Sequence, residues 1–496
     1  MNNINNINNI IKLLHIEDDG IRVIDMYDKG DSRTVIIERI PDLHYCPVCG
    51  CRMYSKGIRK RTIKHQILQD GYKLFLEIHQ RRWMCNNPEC KEIVTDQFSF
   101  VDPRRRTTNL SDILIVNAFK DMNKSASQIA REFNVSTSHA ITTFSRYVDM
   151  PRRQLPEILC VDEVYIGTST RFKYALVLQD FVNNEPVDLV ISRRQEITEP
   201  YFVGIPYNER ARVKYIVSDM YRPYQAYCRE YFPNAKPVID SFHVLQLINW
   251  KFLQYIRTVL KRIDTADRAR HEVTQQSFHR ELPFRHSKDY LVLKHYNWML
   301  LKNQQHLKVY TKATYNSLLG RYMNTFDYFE WMFKLDKNFD EMRDLRERYA
   351  SFNVKYAGNP EGARKALPSI IAIYKSSKFE MYRQIAATLE EYFEPIILSF
   401  TLVRKHTKAG EYDSRISNGP IECLNRYAKD LRRNGRGYTN FEHMRNRFLF
   451  AKRRNATILG QPKTLKQVYA EMPERKNKEY IDPYLLPETD DDEFYE

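Results

Sequence analysis

Two stretches decide how this chain folds: EILCVDEVYIG (Glu157–Gly167) and VKYIVSDMYRPY (Val213–Tyr224). Each is an apolar run of strand length interrupted by a carboxylate, Asp162 within the first and Asp219 at the end of the second. A charge inside an apolar strand is costly unless it is paired or holds a metal. KYALVLQDF (173–181) and PVDLVISR (186–193) lie between them, and AKPVID (235–240) follows. The series reads as an antiparallel three-strand meander, then alternating helix and strand.

That order matches a ribonuclease H-like α/β core, in which the first and fourth strands are neighbours. Asp162 and Asp219 would then project toward one spot. Glu163 is equally eligible beside Asp162, and Asp219 could instead cap the helix that follows. A third carboxylate comes from SNGPIECLNRYAKDLRRNGRGYTNF (417–441), where an Asn-Gly-Pro turn launches a helix with Glu422 in its first turn. Asn425 lies three residues on, close to the same face. Arg426, Lys429, Arg432 and Arg433 follow as phosphate-neutralising candidates. Three carboxylates suit two hard cations, Mg2+ or Mn2+, which prefer oxygen ligands and also bind phosphate. Asp240 and His243, in DSFH at the end of the fifth strand, are expected to support that site through hydrogen bonds.

The front of the chain carries Cys46-x2-Cys49 and Cys85-x4-Cys90, separated by period-two apolar runs. Two such knuckles on strands predict a zinc ribbon holding one structural Zn2+, with Cys51, His44, His65 and His79 as substitute ligands. SASQIAREFNVSTSHAITTFSRYV (125–148) has the pattern of a helix-turn-helix. Ser127 caps a first helix in this reading. Thr137, Ser138, His139, Thr142 and Arg146 on the second are the candidate DNA contacts.

The chain has 496 residues, enough for several domains. Its net charge of +16 favours polyanionic partners. No apolar run approaches the roughly 20 residues of a membrane span, and the N-terminus lacks the pattern of a signal peptide. A soluble, cytoplasmic protein is therefore expected, with reduced cysteines. The expected organisation is a multidomain α+β chain. It comprises an N-terminal segment (1–44), zinc ribbon (45–95), helix-turn-helix domain (105–150) and first part of the core (155–245). A helical insertion (246–400), the final part of the core with Glu422 (401–455) and a C-terminal segment ending in an acidic tail (456–496) complete it.

VDEVYIG, VSDMYRPY, FPNAKPVIDSFHVLQLIN, the two cysteine knuckles and the stretch from Ser417 onward resemble insertion-sequence DDE transposases, the ISL-three family of prokaryotic elements above all. The resemblance implies a catalytic triad of Asp162, Asp219 and Glu422. It also implies binding of double-stranded DNA at terminal inverted repeats and at a target, and metal-dependent strand cleavage and transfer. A homodimer or larger synaptic assembly, associated with the nucleoid, is implied as well. Two departures stand out, the Asp-Glu-Val-Tyr of the first strand and Cys423 after the glutamate. The competing expectation is a DNA-binding regulator whose core is catalytically inert.

Overall fold

The computed structural model describes residues 10–67, 71–167, 172–278, 281, 283–407 and 410–470. Most of the Asn-Ile repeat and the acidic tail lie outside these residues. The chain divides into two compact units, one of Met1–Pro151, Ile166–Arg171 and Asp430–Glu496, the other of Arg152–Tyr165 and Phe172–Lys429.

In the first unit, β1 (Ile21–Lys29), β2 (Ser32–Arg39), β3 (Met53–Lys64), β4 (Lys73–Cys85) and β5 (Ile93–Thr95) form one sheet. Its order is β1-β2-β4-β3, with β5 added on β4. Only β2 and β4 run parallel. The sheet therefore begins at Ile21, inside the segment that sequence set apart as 1–44. Leu74, Leu76 and Ile78 of β4 bury one face together with Ile37 and Ile63, each aliphatic contributing about 1.5–3 kcal/mol. Further along β4 the buried positions change parity to Trp83 and Cys85, so the opposite face is covered there. Cys46 and Met53 join them in a small second cluster.

Three helices follow, Asn109–Ala118, Ala126–Glu132 and Thr137–Tyr147. The cap of the second is Ser125, not Ser127. Gln128 stands three residues after Ser125 and returns the bond to its backbone, closing a reciprocal capping box. Asn134, at φ +51°, turns the chain toward the third helix. In the same unit the helix Phe441–Lys452 carries Arg447, 1% exposed. Its guanidinium donates to the carbonyls of Phe119, Asp121 and Lys124 and to the Tyr438 hydroxyl. Orphaning a buried acceptor costs about 1–3 kcal/mol. Arg447→Ala is accordingly expected to destabilise this unit by at least about 3 kcal/mol, read as a lower urea midpoint at unchanged slope.

In the second unit, β6 (Ile158–Tyr165), β7 (Tyr174–Asp180), β8 (Glu185–Val190), β9 (Tyr215–Ser218) and β10 (Lys236–Ile239) form a sheet in the order β10-β9-β6-β7-β8. β6, β7 and β8 pair antiparallel, and β9 and β10 continue parallel from β6. Helices supply the crossovers that parallel strands require: Gln195–Val203 and Tyr207–Arg210 before β9, Arg222–Glu230 before β10. Leu159, Val161, Leu176, Ile216, Phe202 and Phe232 make the core.

A 38-residue helix, Ser241–Phe278, opens a helical region that runs to Leu398. Its apolar stripe at four-residue spacing (Val244, Ile248, Phe252, Ile256) packs with Tyr349, Tyr374 and Tyr382. Those buried hydroxyls all donate to backbone carbonyls, of Ser241, Leu345 and Met342. Trp250 faces out of this core, 48% exposed. The hairpin Leu402–Thr407 and Gly410–Arg415 then leads into the helix Gly419–Asn434.

Candidate active site and cysteine cluster

β6 and β9 are hydrogen-bonded neighbours, which brings Asp162, within β6, alongside the end of β9, where Asp219 follows Ser218. Asp219 Oδ1 accepts from the Tyr221 N–H at 2.9 Å, so this carboxylate does shape the turn before the next helix. Glu163 is committed elsewhere. Its oxygens take Arg193 Nη1 at 2.9 Å and the Tyr224 hydroxyl. Among the described residues, Asp162 has no arginine or lysine on it. It accepts from Asn425 Nδ2 at 2.8 Å, and the same amide reaches the Glu163 carbonyl at 3.2 Å. That bond ties the glutamate-bearing helix to β6, across 263 residues of sequence.

The head of that helix is fixed from β10. Asp240 accepts from the backbone N–H of Asn418 at 3.0 Å and of Phe242 at 2.9 Å, with Arg415 3.7 Å away. Asn418 Nδ2 and His243 Nε2 lie 3.0 Å apart, and His243 Nδ1 meets Gln246 Oε1 at 3.0 Å. Glu422 Oε1 stands 3.9 Å from His243 Nε2. Sequence reasoning passed over Arg193, Tyr224, Asn418 and Arg415. Asn418 was read only as a turn former, and the others carry no local signal at all.

Electrostatics mark the same spot. Burial pushes the Asp162 carboxyl up to about 8, and the negative charges of Glu163, Asp219 and Glu422 push in the same direction. Burial likewise raises Asp219, against the Tyr221 N–H, His243 and Arg193, which lower it. An unfolded aspartate titrates near about 3.9. The folded protein therefore holds more protons than the unfolded chain between about 4 and 8, and stability falls as pH rises through that window. In EDTA, the wild-type melting temperature is expected to drop from pH 5 to pH 9 by more than that of Asp162→Asn. Equal slopes in the two proteins would remove Asp162 as the source.

Two buried amide oxygens beside the carboxylates, Asn425 Oδ1 and Asn418 Oδ1, have no hydrogen-bond partner among the described residues. An excess of oxygen acceptors without donors suits a hard cation with its water shell. The three carboxylates are more dispersed than a single compact ligand set. Among the described residues, only Cys46, Cys49, Cys85 and Cys90 form a group of three or more His, Cys, Asp or Glu whose ligand atoms all lie within 4.8 Å.

Those four sulfurs fit one tetrahedral zinc. Zn–S bonds of about 2.3 Å imply S···S separations near about 3.8 Å. Cys46–Cys90 and Cys49–Cys85 stand at 3.6 and 3.3 Å, close to that spacing and far too long for disulfides. The N–H of Cys51 draws the Cys49 thiol down to about 6, toward the thiolate that zinc requires. Cys51 itself, with His44, His65 and His79, is outside the cluster. His65 is buried between Thr108 and the Leu14 carbonyl, His79 pairs with Glu77, and His44 stacks on Trp83.

The expected DNA contacts divide. Thr137 and Ser138 are exposed, Thr142 half-buried. Arg146 is buried and donates to the Lys463 carbonyl at 3.0 Å. His139 Nε2 lies 3.7 Å from the buried Asp112. Asp112 is an anion inside the bundle and draws both side chains, with Arg105, toward itself, so Arg146 and His139 turn toward the bundle while Thr137 and Ser138 stay exposed. On the helix Gly419–Asn434, Arg426, Lys429 and Arg433 are exposed, whereas Arg432 is half-buried. Gly167 sits at φ +106°, a conformation L side chains rarely adopt, which explains the glycine there; an added Cβ would also come within 3.2 Å of Arg432 Nη1.

Comparison with known proteins places these elements in context. The family model for ISL3 DDE transposases, described as a transposase, matches residues 159–448, more than half of the chain. A transposase for insertion sequence element IS1001 from Bordetella parapertussis is 23% identical over 289 residues, covering 56% of this chain and 64% of that relative. The chain thus spans a little under two thirds of the length of the relative it matches.

Proposed function

Because the chain belongs to the ISL3 family of insertion-sequence transposases, we propose that it binds the terminal inverted repeats of its element, cuts their 3′ ends and joins them to target DNA. The sheet order β10-β9-β6-β7-β8 supports a ribonuclease H-like core for this chemistry. The observation that carries the reading is the Asn425–Asp162 bond, which docks the Glu422 helix onto the strand that neighbours Asp219.

Asp162, Asp219 and Glu422 would hold Mg2+ or Mn2+, two ions per site. When bound, these supply Lewis acidity at the phosphoryl oxygens and lower the pKa of the attacking hydroxyl. In the first reaction water oxygen bonds to the scissile phosphorus and the 3′ oxygen leaves. In the second, the oxygen of the freed 3′-hydroxyl bonds to a target phosphorus, the target strand's own 3′ oxygen leaves, and the hydroxyl proton ends on that leaving oxygen. Asn425 holds the Asp162 carboxylate in one rotamer. Asp240 pins the Asn418 turn, which sets where the first turn of the helix presents Glu422, and His243 borders Glu422 on one side. Arg426, Lys429 and Arg433 neutralise backbone phosphates, and Thr137, Ser138 and Thr142 open a helix-turn-helix contact with the ends. One zinc on the four cysteines staples the ribbon.

The test is a nicking assay on a duplex carrying the element's ends. Cleavage at the 3′ ends and strand-transfer products are expected with Mg2+ or Mn2+, and neither in EDTA. Tight end binding with no cleavage in either metal would favour a regulator with an inert core.

A further inference from the structure

Within the helical region, a short hairpin of Thr314–Asn316 and Arg321–Met323 is pinned from one side. Leu319 and Met323 are buried in the helical core, and Asn316 Nδ2 donates to the hydroxyls of Tyr296 and Tyr328, 2.6 Å each. Gly320, at φ +65°, closes the turn with its N–H on the Asn316 carbonyl. The other side carries Tyr315 and Tyr322. They are cross-strand partners with ring centroids 5.4 Å apart, and they are 61% and 69% exposed. Tyr310 and Phe326 add two more exposed rings; the Tyr310 N–H donates to the Thr325 hydroxyl at 2.9 Å and its carbonyl accepts from the Thr325 N–H.

Along the chain that carries these rings the charge is mostly positive, with Asp289 and Asp327 as the flanking acids. From Tyr290 to Phe326 the chain contains no acidic residue and five basic ones: Lys294, Lys302, Lys308, Lys312 and Arg321. Lys308 and Lys312 are exposed, and Arg321 is fixed over the Trp331 ring at 3.8 Å. A cluster of exposed rings on a rigid support is a docking surface rather than ordinary scatter. A second copy of the same face would be repelled by its like charge. The partner must be anionic and must offer flat faces. Duplex DNA supplies phosphates but hides its base faces in the stack, whereas unpaired DNA exposes both.

We propose that this hairpin is a platform for unpaired DNA: bases stack on Tyr315 and Tyr322 while Lys308 and Lys312 take the phosphates. The inference rests on the DNA-handling reading above and adds the form of DNA and the place that receives it. It is separate from the carboxylate site, so the two readings fail separately.

The experiment measures fluorescence anisotropy of the full-length chain with a labelled 15-nucleotide oligo-dT and with a 15-base-pair duplex, alongside sedimentation. Tyr315→Ala with Tyr322→Ala is expected to weaken oligo-dT binding about 10- to 100-fold and to leave duplex affinity within about twofold. Tyr315→Phe with Tyr322→Phe keeps the rings and is expected to bind as wild type. Unchanged oligo-dT binding in the alanine pair would overturn the proposal, and so would equal losses on the duplex. Dissociation of an oligomer in place of a binding loss would overturn it too, and would make the face a protein interface. A failure here with cleavage still lost in Asp162→Asn removes the platform alone and leaves the catalytic reading standing.

Discussion

Asp162→Asn is expected to lower end cleavage at least about a thousandfold, because loss of a cation's transition-state stabilisation removes several kcal/mol. Affinity for end DNA is expected to stay within about twofold, since the substitution touches no basic residue. Asparagine preserves volume and still offers an oxygen to Asn425 Nδ2, so the fold is retained and the lost charge is isolated. Asp219→Ala and Glu422→Ala are expected to match it. Asn425→Ala should fall between, losing about 10- to 100-fold as a residue that orients a ligand rather than being one. The measurement is single-turnover nicking with binding followed in parallel. Full activity in any one of the three carboxylate variants would drop that residue from the triad. A larger loss for Asn425 than for Asp162 would reverse their roles.

Replacing Cys46 by serine is the second large expectation. Structural zinc contributes about 10–16 kcal/mol in small ribbon and finger units, which rivals the whole stability of an ordinary domain. Among the described residues, the apolar cluster around the sulfurs has only Met53 and Trp83 as further buried members, too little to hold the knuckles without a metal. One zinc per chain is expected in native mass spectra of the wild type and none in Cys46→Ser. Amide exchange at Met53, Trp83 and Cys85 should accelerate to near-unprotected rates, while Leu76 and Ile78, on the larger sheet core, stay protected. A wild-type chain with no zinc and an unaltered variant would sink the ribbon assignment. The sulfurs would then be four reduced thiols that merely happen to face one another.

The cysteine spacing could be read locally because zinc geometry is local: each knuckle brings its pair together by a short turn, and only one long-range pairing, β3 on β4, remains to be made. The caps show the limit of such reading. Ser125 and Ser127 are equivalent as residue types, and the capping box with Gln128 decides between them. Arg146 shows a deeper limit. On a helical wheel it is one more basic residue near a groove-facing surface, but the buried Asp112 on a preceding helix claims its neighbourhood. No pattern within residues 125–148 contains that fact.

What the sequence determined by itself is the set of elements and the chemistry they carry: apolar strand runs broken by carboxylates, paired cysteines, a turn that launches a basic helix with one early glutamate, and the family to which these belong. Periodicity and spacing are short-range properties, so they are written along the chain. Only the tertiary structure decided which carboxylate is left open and which is already engaged. Glu163 is paired with Arg193 and accepts from the Tyr224 hydroxyl, whereas Asp162 faces Asn425 from 263 residues away and Asp240 fixes Asn418 across 178. Those assignments depend on distances between side chains that packing alone brings together, and a buried charge takes its pKa from whatever packing sets beside it.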